Sequence, residues 1–116
     1  MADFDGKLIG VIGDEDTVTG FLLAGVGERS IKGPNFMVVD SETRSSDVLS
    51  FFTDLTKRED IAIILINQHI ANLIRHALTG YNKLVPTVLE IPSKDHPYDP
   101  SKDHVLKQVN MLLGSD

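Results

Sequence analysis

Arg58-Glu59-Asp60-Ile61-Ala62-Ile63-Ile64-Leu65-Ile66-Asn67-Gln68-His69 contains an apolar run, Ile61 to Ile66, bounded by charged residues before it and amides after it. The run does not alternate with polar residues. A strand with one wet face alternates; a continuous β-branched run belongs to a strand covered on both faces, the parallel-sheet case. It is also far shorter than the roughly 20 apolar residues that span a bilayer. Three more short apolar runs lie outward from it, Leu8–Ile12, Phe36–Val39 and Thr87–Ile91. Longer stretches with helical spacing separate them. Strand and helix in regular alternation predict an α/β domain.

The intervening helices carry their own signals. Asp16 is expected to cap the first, which runs through Phe21 and Leu22 to about Ala24, with Gly25 and Gly27 supplying a stop and a loop. Ser45, Ser46 or Asp47 caps the second, whose stripe is Val48, Phe51, Phe52 and Leu55. In the third, Ile70, Leu73, Ile74, Ala77 and Leu78 fall at helical spacing and Gly80 ends it. The fourth opens with Asp99 as cap and Pro100 at the first helical position. Its stripe is Val105, Leu106, Val109, Leu112 and Leu113, a pattern that suits either core cover or a partner-facing helix.

Right-handed crossovers with helices on both faces predict a small, doubly wound, four-stranded parallel sheet of order 2-1-3-4, Rossmann- or receiver-like, followed by a C-terminal helix. Residues 1–92 form the α/β unit. Residues 93–116, a loop and the amphipathic helix, belong to the same single domain. The crevice of such a sheet lies beyond the carboxyl ends of strands one and three, here Gly13-Asp14-Glu15-Asp16 and Asn67-Gln68-His69.

Composition limits what the crevice can do. The 116 residues include no cysteine, which excludes disulfides, zinc-thiolate sites and cysteine nucleophiles. The charge is −6, from 11 basic and 17 acidic residues, with no Lys/Arg cluster to displace counterions from nucleic acid or to hold an anionic membrane. Met1-Ala2-Asp3-Phe4-Asp5 carries acid where a signal peptide carries base, so a soluble, cytosolic protein is expected.

Each chemical reading of the crevice meets an obstacle. Gly10 and Gly13 fall in the first strand, not in its turn, and the turn is three carboxylates that repel phosphate. A phosphoryl-accepting receiver needs an aspartate where strand three ends, and Asn67 stands there. The acidic trio could still hold a divalent cation through oxygen ligands, but acids at a helix start also serve the macrodipole and the cap. His69 and His76, seven apart, are too far apart to chelate one metal alone. Ser93 near Lys94 and His96 lacks the strand-to-helix frame of a nucleophile elbow. An interaction module without cofactor is expected; a stand-alone receiver-like domain binding a small ligand or a divalent cation is the alternative.

Three stretches go beyond a generic α/β pattern: Ile12–Leu22 leading into Ala24-Gly25-Val26-Gly27, then Arg58–Ala71, then Leu89-Glu90-Ile91-Pro92-Ser93-Lys94-Asp95-His96-Pro97-Tyr98-Asp99. Together they closely resemble the F subunit of the eukaryotic vacuolar-type proton-translocating ATPase (V-ATPase), collinearly from about Lys7 to Leu113. The resemblance implies a non-catalytic protein of the central stalk. It implies pairing with the coiled-coil D subunit below the catalytic A/B hexamer, and coupling of ATP hydrolysis there to rotation and proton transport. It places the chain in the soluble ATPase sector, on the cytosolic face of vacuolar membranes and other endomembranes, without membrane insertion. On this resemblance Ile91, Pro92, Ser93, Lys94, His96, Pro97 and Tyr98, with Val105 and Val109 of the last helix, would face the coiled coil. Gly27 and Lys32, in the loop Gly27–Asn35, would face the stalk-to-membrane coupler, the d subunit.

Overall fold

The computed structural model describes residues 8–25, 33–94, 99–102, 109, 112 and 113. Four strands, β1 (Leu8–Gly13), β2 (Phe36–Val38), β3 (Ile61–Asn67) and β4 (Thr87–Ile91), pair in parallel in the order β2-β1-β3-β4. This is the predicted sheet order. The helices are α1 (Glu15–Leu23), α2 (Ser45–Lys57), α3 (Gln68–Ala71) and α4 (Arg75–Thr79). Single 3₁₀ turns occupy Asn72–Ile74 and Pro100–Lys102.

The two sheet faces are covered unequally. The strand residues Ile12, Ile64, Ile66 and Val88, with Ile61 at the start of β3, bury themselves against Val48, Phe52 and Leu55 of α2 and against Ile70, Ala71, Ile74 and Leu78 of the third helical segment. This is the main core, and Tyr81 closes one side of it edge-on to Phe52, with ring centroids 5.7 Å apart. Burial raises the pKa of the Tyr81 hydroxyl, which donates to the Pro86 carbonyl. On the other face, Val11 of β1 and Val18 of α1 are buried outside that cluster.

Three local features differ from the sequence reading. Asp14, not Asp16, caps α1: its Oδ1 accepts from the Thr17 amide at 2.9 Å. Asp14 precedes the first helical residue, and only that position places a side-chain oxygen over the free amides of the first turn. Asp14→Ala is expected to lower stability by about 1 kcal/mol in denaturant titration, the usual worth of such a cap. α2 begins one residue after Arg44, an N-cap with no side-chain bond. The preceding turn is held instead by Asp40, whose Oδ1 accepts from the Glu42 amide at 2.8 Å and from Thr43 Oγ1 at 3.1 Å. These bonds keep the Asp40 carboxyl below its ordinary pKa. The third helix is broken by the 3₁₀ turn at Asn72–Ile74, whose tighter winding rotates the stripe. Ile70, Ala71, Ile74 and Leu78 are buried, whereas Leu73, expected in the stripe, is 46% exposed.

At the amino-terminal edge of the sheet Arg58 gathers the chain. Its guanidinium donates to Asp60 Oδ1 at 2.9 Å and Oδ2 at 2.8 Å, to the Pro34 carbonyl at 3.0 Å and to Asn35 Oδ1 at 2.8 Å. Asn35 is fully buried and its carbonyl accepts from the Val11 amide. The entry to β2 is therefore tied to the start of β3.

Candidate functional site: a clasped crevice and an open apolar face

Asn67 ends β3 where the crevice of a doubly wound sheet opens, and its side chain occupies that position. Oδ1 accepts from the Asp14 amide at 2.8 Å; Nδ2 donates to Thr17 Oγ1 at 3.2 Å and to the Pro92 carbonyl at 3.1 Å. One buried amide joins the turn after β1, the first turn of α1 and the exit of β4. Gly13 makes room for it, since a Cβ there would lie 2.6 Å from Asn67 Oδ1. The amide that removed the phosphoryl acceptor from the sequence pattern thus closes the crevice physically. Among the described residues no group of three His, Asp or Glu side chains is placed to hold a metal ion.

Gln68 follows with a second amide, 4% exposed, bonded to Glu90 and to the backbone of Asp99. Asp99 Oδ1 accepts from the Ser101 hydroxyl at 2.7 Å and the Ser101 amide at 3.0 Å, and most of the fourth helix it was expected to cap, residues 103–108 included, lies outside the described residues. Those bonds hold the Asp99 carboxyl below its ordinary pKa. Asp99 leads into a 3₁₀ turn at Pro100–Lys102. Val109 and Leu112 are helical, and the Leu113 amide donates to the Val109 carbonyl at 2.9 Å.

The apolar surface lies on the α1 side. Leu65 is the cross-strand neighbour of Val11 and of Leu89, Ile63 of Ile9, and Asn67 of Ile91, so these residues share one face. Among the described helices α1 alone lies on this face, over β1 and β2. Ile63, Leu65 and Ile91 are left half-buried and Leu89 is 38% exposed. The face runs into an open groove of about 460 Å³ lined by Thr17, Gly20, Phe21, Ala24, Ile91 and Pro92. At its rim Lys94 Nζ lies 3.3 Å from Asp16 Oδ2, both side chains well exposed. Gly20 and Ala24 keep that side of α1 low, and a Cβ at Gly20 would meet open space.

Of the residues expected to meet a partner, Ile91 and Pro92 line this groove, Lys94 stands at its rim and Ser93 is half-buried beside them. Val109, a helical residue, is 40% exposed. Gly27, Lys32, His96, Pro97, Tyr98 and Val105 lie outside the described residues. Sequence reasoning missed Leu89 as a surface residue and Leu65 as only half-buried. The signal was present in the continuous apolar runs of β3 and β4, which imply two covered faces where the described helices cover one fully.

The crevice is thus closed by the chain's own amide, and beside it lies an apolar sheet face that α1 covers only in part among the described residues, the kind of surface on which proteins dock. Residues 9–109 match the family model described as ATP synthase (F/14-kDa) subunit, and the chain belongs to that family. It is 55% identical over 112 residues to the human V-type proton ATPase F subunit, covering 96% of this chain and 94% of that protein. It is 54% identical over 110 residues to the V-type proton ATPase F subunit of Dictyostelium discoideum, covering 94% and 92%. The crystal structure of the Archaeoglobus fulgidus V-type ATP synthase F subunit superimposes with a TM-score of 0.51 over 74% of this chain and 98% of that one. At 22% identity it shows the shared fold.

Proposed function

We propose that the chain is the non-catalytic F subunit of a V-type proton ATPase, working in the central stalk that couples ATP hydrolysis in the A/B hexamer to rotation and proton transport. The family and the near full-length relatives support the assignment. The observation that carries a docking role is apolar surface that the described residues leave exposed: Leu89 on the sheet, with Leu112 86% and Leu113 74% exposed near the end of the chain. Burying a leucine contributes about 1.5–3 kcal/mol, so a partner that covered these residues would gain that burial on binding.

The partner for this surface is a long helix, that of the coiled-coil D subunit. A groove bordered by Gly20 and Ala24 suits a helix axis approaching at the usual distance of about 8–10 Å. Ile91, Pro92, Ser93 and Lys94, with His96, Pro97, Tyr98, Val105 and Val109, make up the contact. Residues 93–116 carry much of it and the α/β unit of residues 1–92 supplies the rigid body. Gly27 and Lys32 face the stalk-to-membrane coupler; of the loop Gly27–Asn35 that carries them, Arg58 ties down Pro34 and Asn35. No helix among the described residues is long and apolar enough to cross a membrane, so attachment at the cytosolic face of endomembranes is through the partner subunits.

The test is binding of purified chain to the coiled-coil partner. Leu89→Asp and Leu112→Asp each place a charge in a surface that must desolvate, and each is expected to weaken binding by about tenfold or more with the thermal midpoint little changed. Full affinity in both variants would refute the placement.

A further inference from the structure

Asn67 and Gln68 are consecutive, yet their side-chain amides hold the chain at two places on either side of residues 93–98. Asn67 Nδ2 donates to the Pro92 carbonyl at 3.1 Å. Gln68 makes two bonds to the backbone of one residue: its Oε1 accepts from the Asp99 amide at 2.5 Å and its Nε2 donates to the Asp99 carbonyl at 2.7 Å. A primary amide used this way imitates a neighbouring peptide unit, pairing with donor and acceptor together. Because it reads backbone, it fixes position whatever side chain residue 99 carries.

The orientation of that amide is imposed from behind. Its second Nε2 proton goes to Glu90 Oε1 at 3.1 Å, and an ionised carboxylate only accepts. Arg75 grips the same carboxylate, Nη1 to Oε2 at 2.5 Å and Nη2 to Oε1 at 3.1 Å, and also donates to Asn72 Oδ1 at 2.6 Å. The row Asn72, Arg75, Glu90 and Gln68 therefore turns the amide so that oxygen faces the Asp99 N–H and nitrogen faces the Asp99 carbonyl. With the flip reversed, both backbone bonds would be lost. Nothing in core packing requires such a device, since α3, α4 and β4 already share the main apolar cluster.

We infer that Asn67 and Gln68 are positioning residues that fix the chain at Pro92 and at Asp99, and so set where the segment between and beyond those points is presented to a partner. The inference rests on the stalk reading above for the partner's identity. Its physical basis is pre-organisation: a contact segment held before binding loses less conformational freedom on binding, and affinity rises without a new contact.

The test uses the full chain, with hydrogen exchange of the residue 99 amide and affinity for the coiled-coil partner as readouts. Gln68→Met keeps an unbranched side chain of similar length but can neither accept from the Asp99 amide nor donate to the Asp99 carbonyl, and it leaves the Arg75–Glu90 pair in place. In this variant the residue 99 amide is expected to exchange roughly tenfold faster and binding to weaken by roughly three- to tenfold, the worth of one or two hydrogen bonds, while the amides of β3 and β4 exchange at native rates. Native exchange at residue 99 would overturn the inference. So would fast exchange there with undiminished affinity, the outcome of a purely structural role. Should the unaltered chain fail to bind the coiled coil, the stalk reading falls, and the exchange rate at residue 99 alone then decides whether Gln68 fixes the chain there.

Discussion

Gly13→Ala is expected to lower the thermal midpoint by about 10 °C. The new Cβ would sit 2.6 Å from Asn67 Oδ1, 3.1 Å from Thr17 Cγ2 and 3.3 Å from Thr17 Cβ. The nearest of these is no flexible tip: the Asn67 amide is held by three bonds to Asp14, Thr17 and Pro92. Relief requires either α1 to lift or the amide to leave, and the second course strands the Asp14 amide and the Pro92 carbonyl. Overpacking of a tight site costs about 1–3 kcal/mol and a lost buried bond about 1 kcal/mol more. A total near 3 kcal/mol corresponds to roughly 10 °C for a domain of this size. The backbone bond from the Val39 amide to the Gly13 carbonyl, 2.8 Å, would be strained in the same movement and spread the damage to β2. Gly20→Ala is the control. Its Cβ finds open space, and alanine in a helix interior stabilises by up to about 1 kcal/mol relative to glycine, so calorimetry should show no loss. Equal midpoints for the two variants would refute the closed crevice.

The second large effect concerns charge. The Glu90 side chain is 1% exposed and Arg75, 25% exposed, makes the bidentate pair with it. Arg75→Met is expected to cost about 3 kcal/mol, because removing one member of such a pair leaves a carboxylate buried without its neutralising charge. The partial exposure of Arg75 keeps the figure at the lower end of the usual range. Arg75→Met combined with Glu90→Leu should regain more than half of that loss, since the carboxylate that suffers has gone. Urea titration of the single and double variants measures both numbers. A double variant no more stable than Arg75→Met would show that the pair holds more than its own charges.

The two effects mark where local pattern stops being informative. The strands were legible because a short, unbroken β-branched run is at home in a strand covered on both faces, and Ile61 to Ile66 is such a run. Their order followed from crossover handedness. The turn at Asp99 was legible because Asp-Pro is a local signal, and Asp99 Oδ1 does accept from Ser101 there. Asp14, Glu15 and Asp16 could not be ranked as caps, because each has the same chemistry. The choice falls to Asp14 at the helix boundary, where its own amide is held by a residue 53 positions away. The broken third helix was hidden for a related reason. Ile70, Leu73, Ile74, Ala77 and Leu78 fit an unbroken helix, and the 3₁₀ turn that exposes Leu73 lies where Asn72 meets Arg75, itself committed to Glu90 on β4.

What the order of amino acids settles here is the set of elements, their parallel pairing, the absence of cysteine chemistry and the family, since each depends on neighbours in the chain or on motifs read whole. What waits for the folded chain is the use of polar residues at the strand ends. Asn67 and Gln68 read only as amides where an acceptor aspartate would stand. Their work appears when Asp14, Pro92, Glu90 and Asp99, 22 to 53 residues away along the chain, arrive within hydrogen-bond distance. Hydrogen bonds act over about 3 Å and require alignment, so which partners a buried amide takes is decided by the three-dimensional path of the backbone.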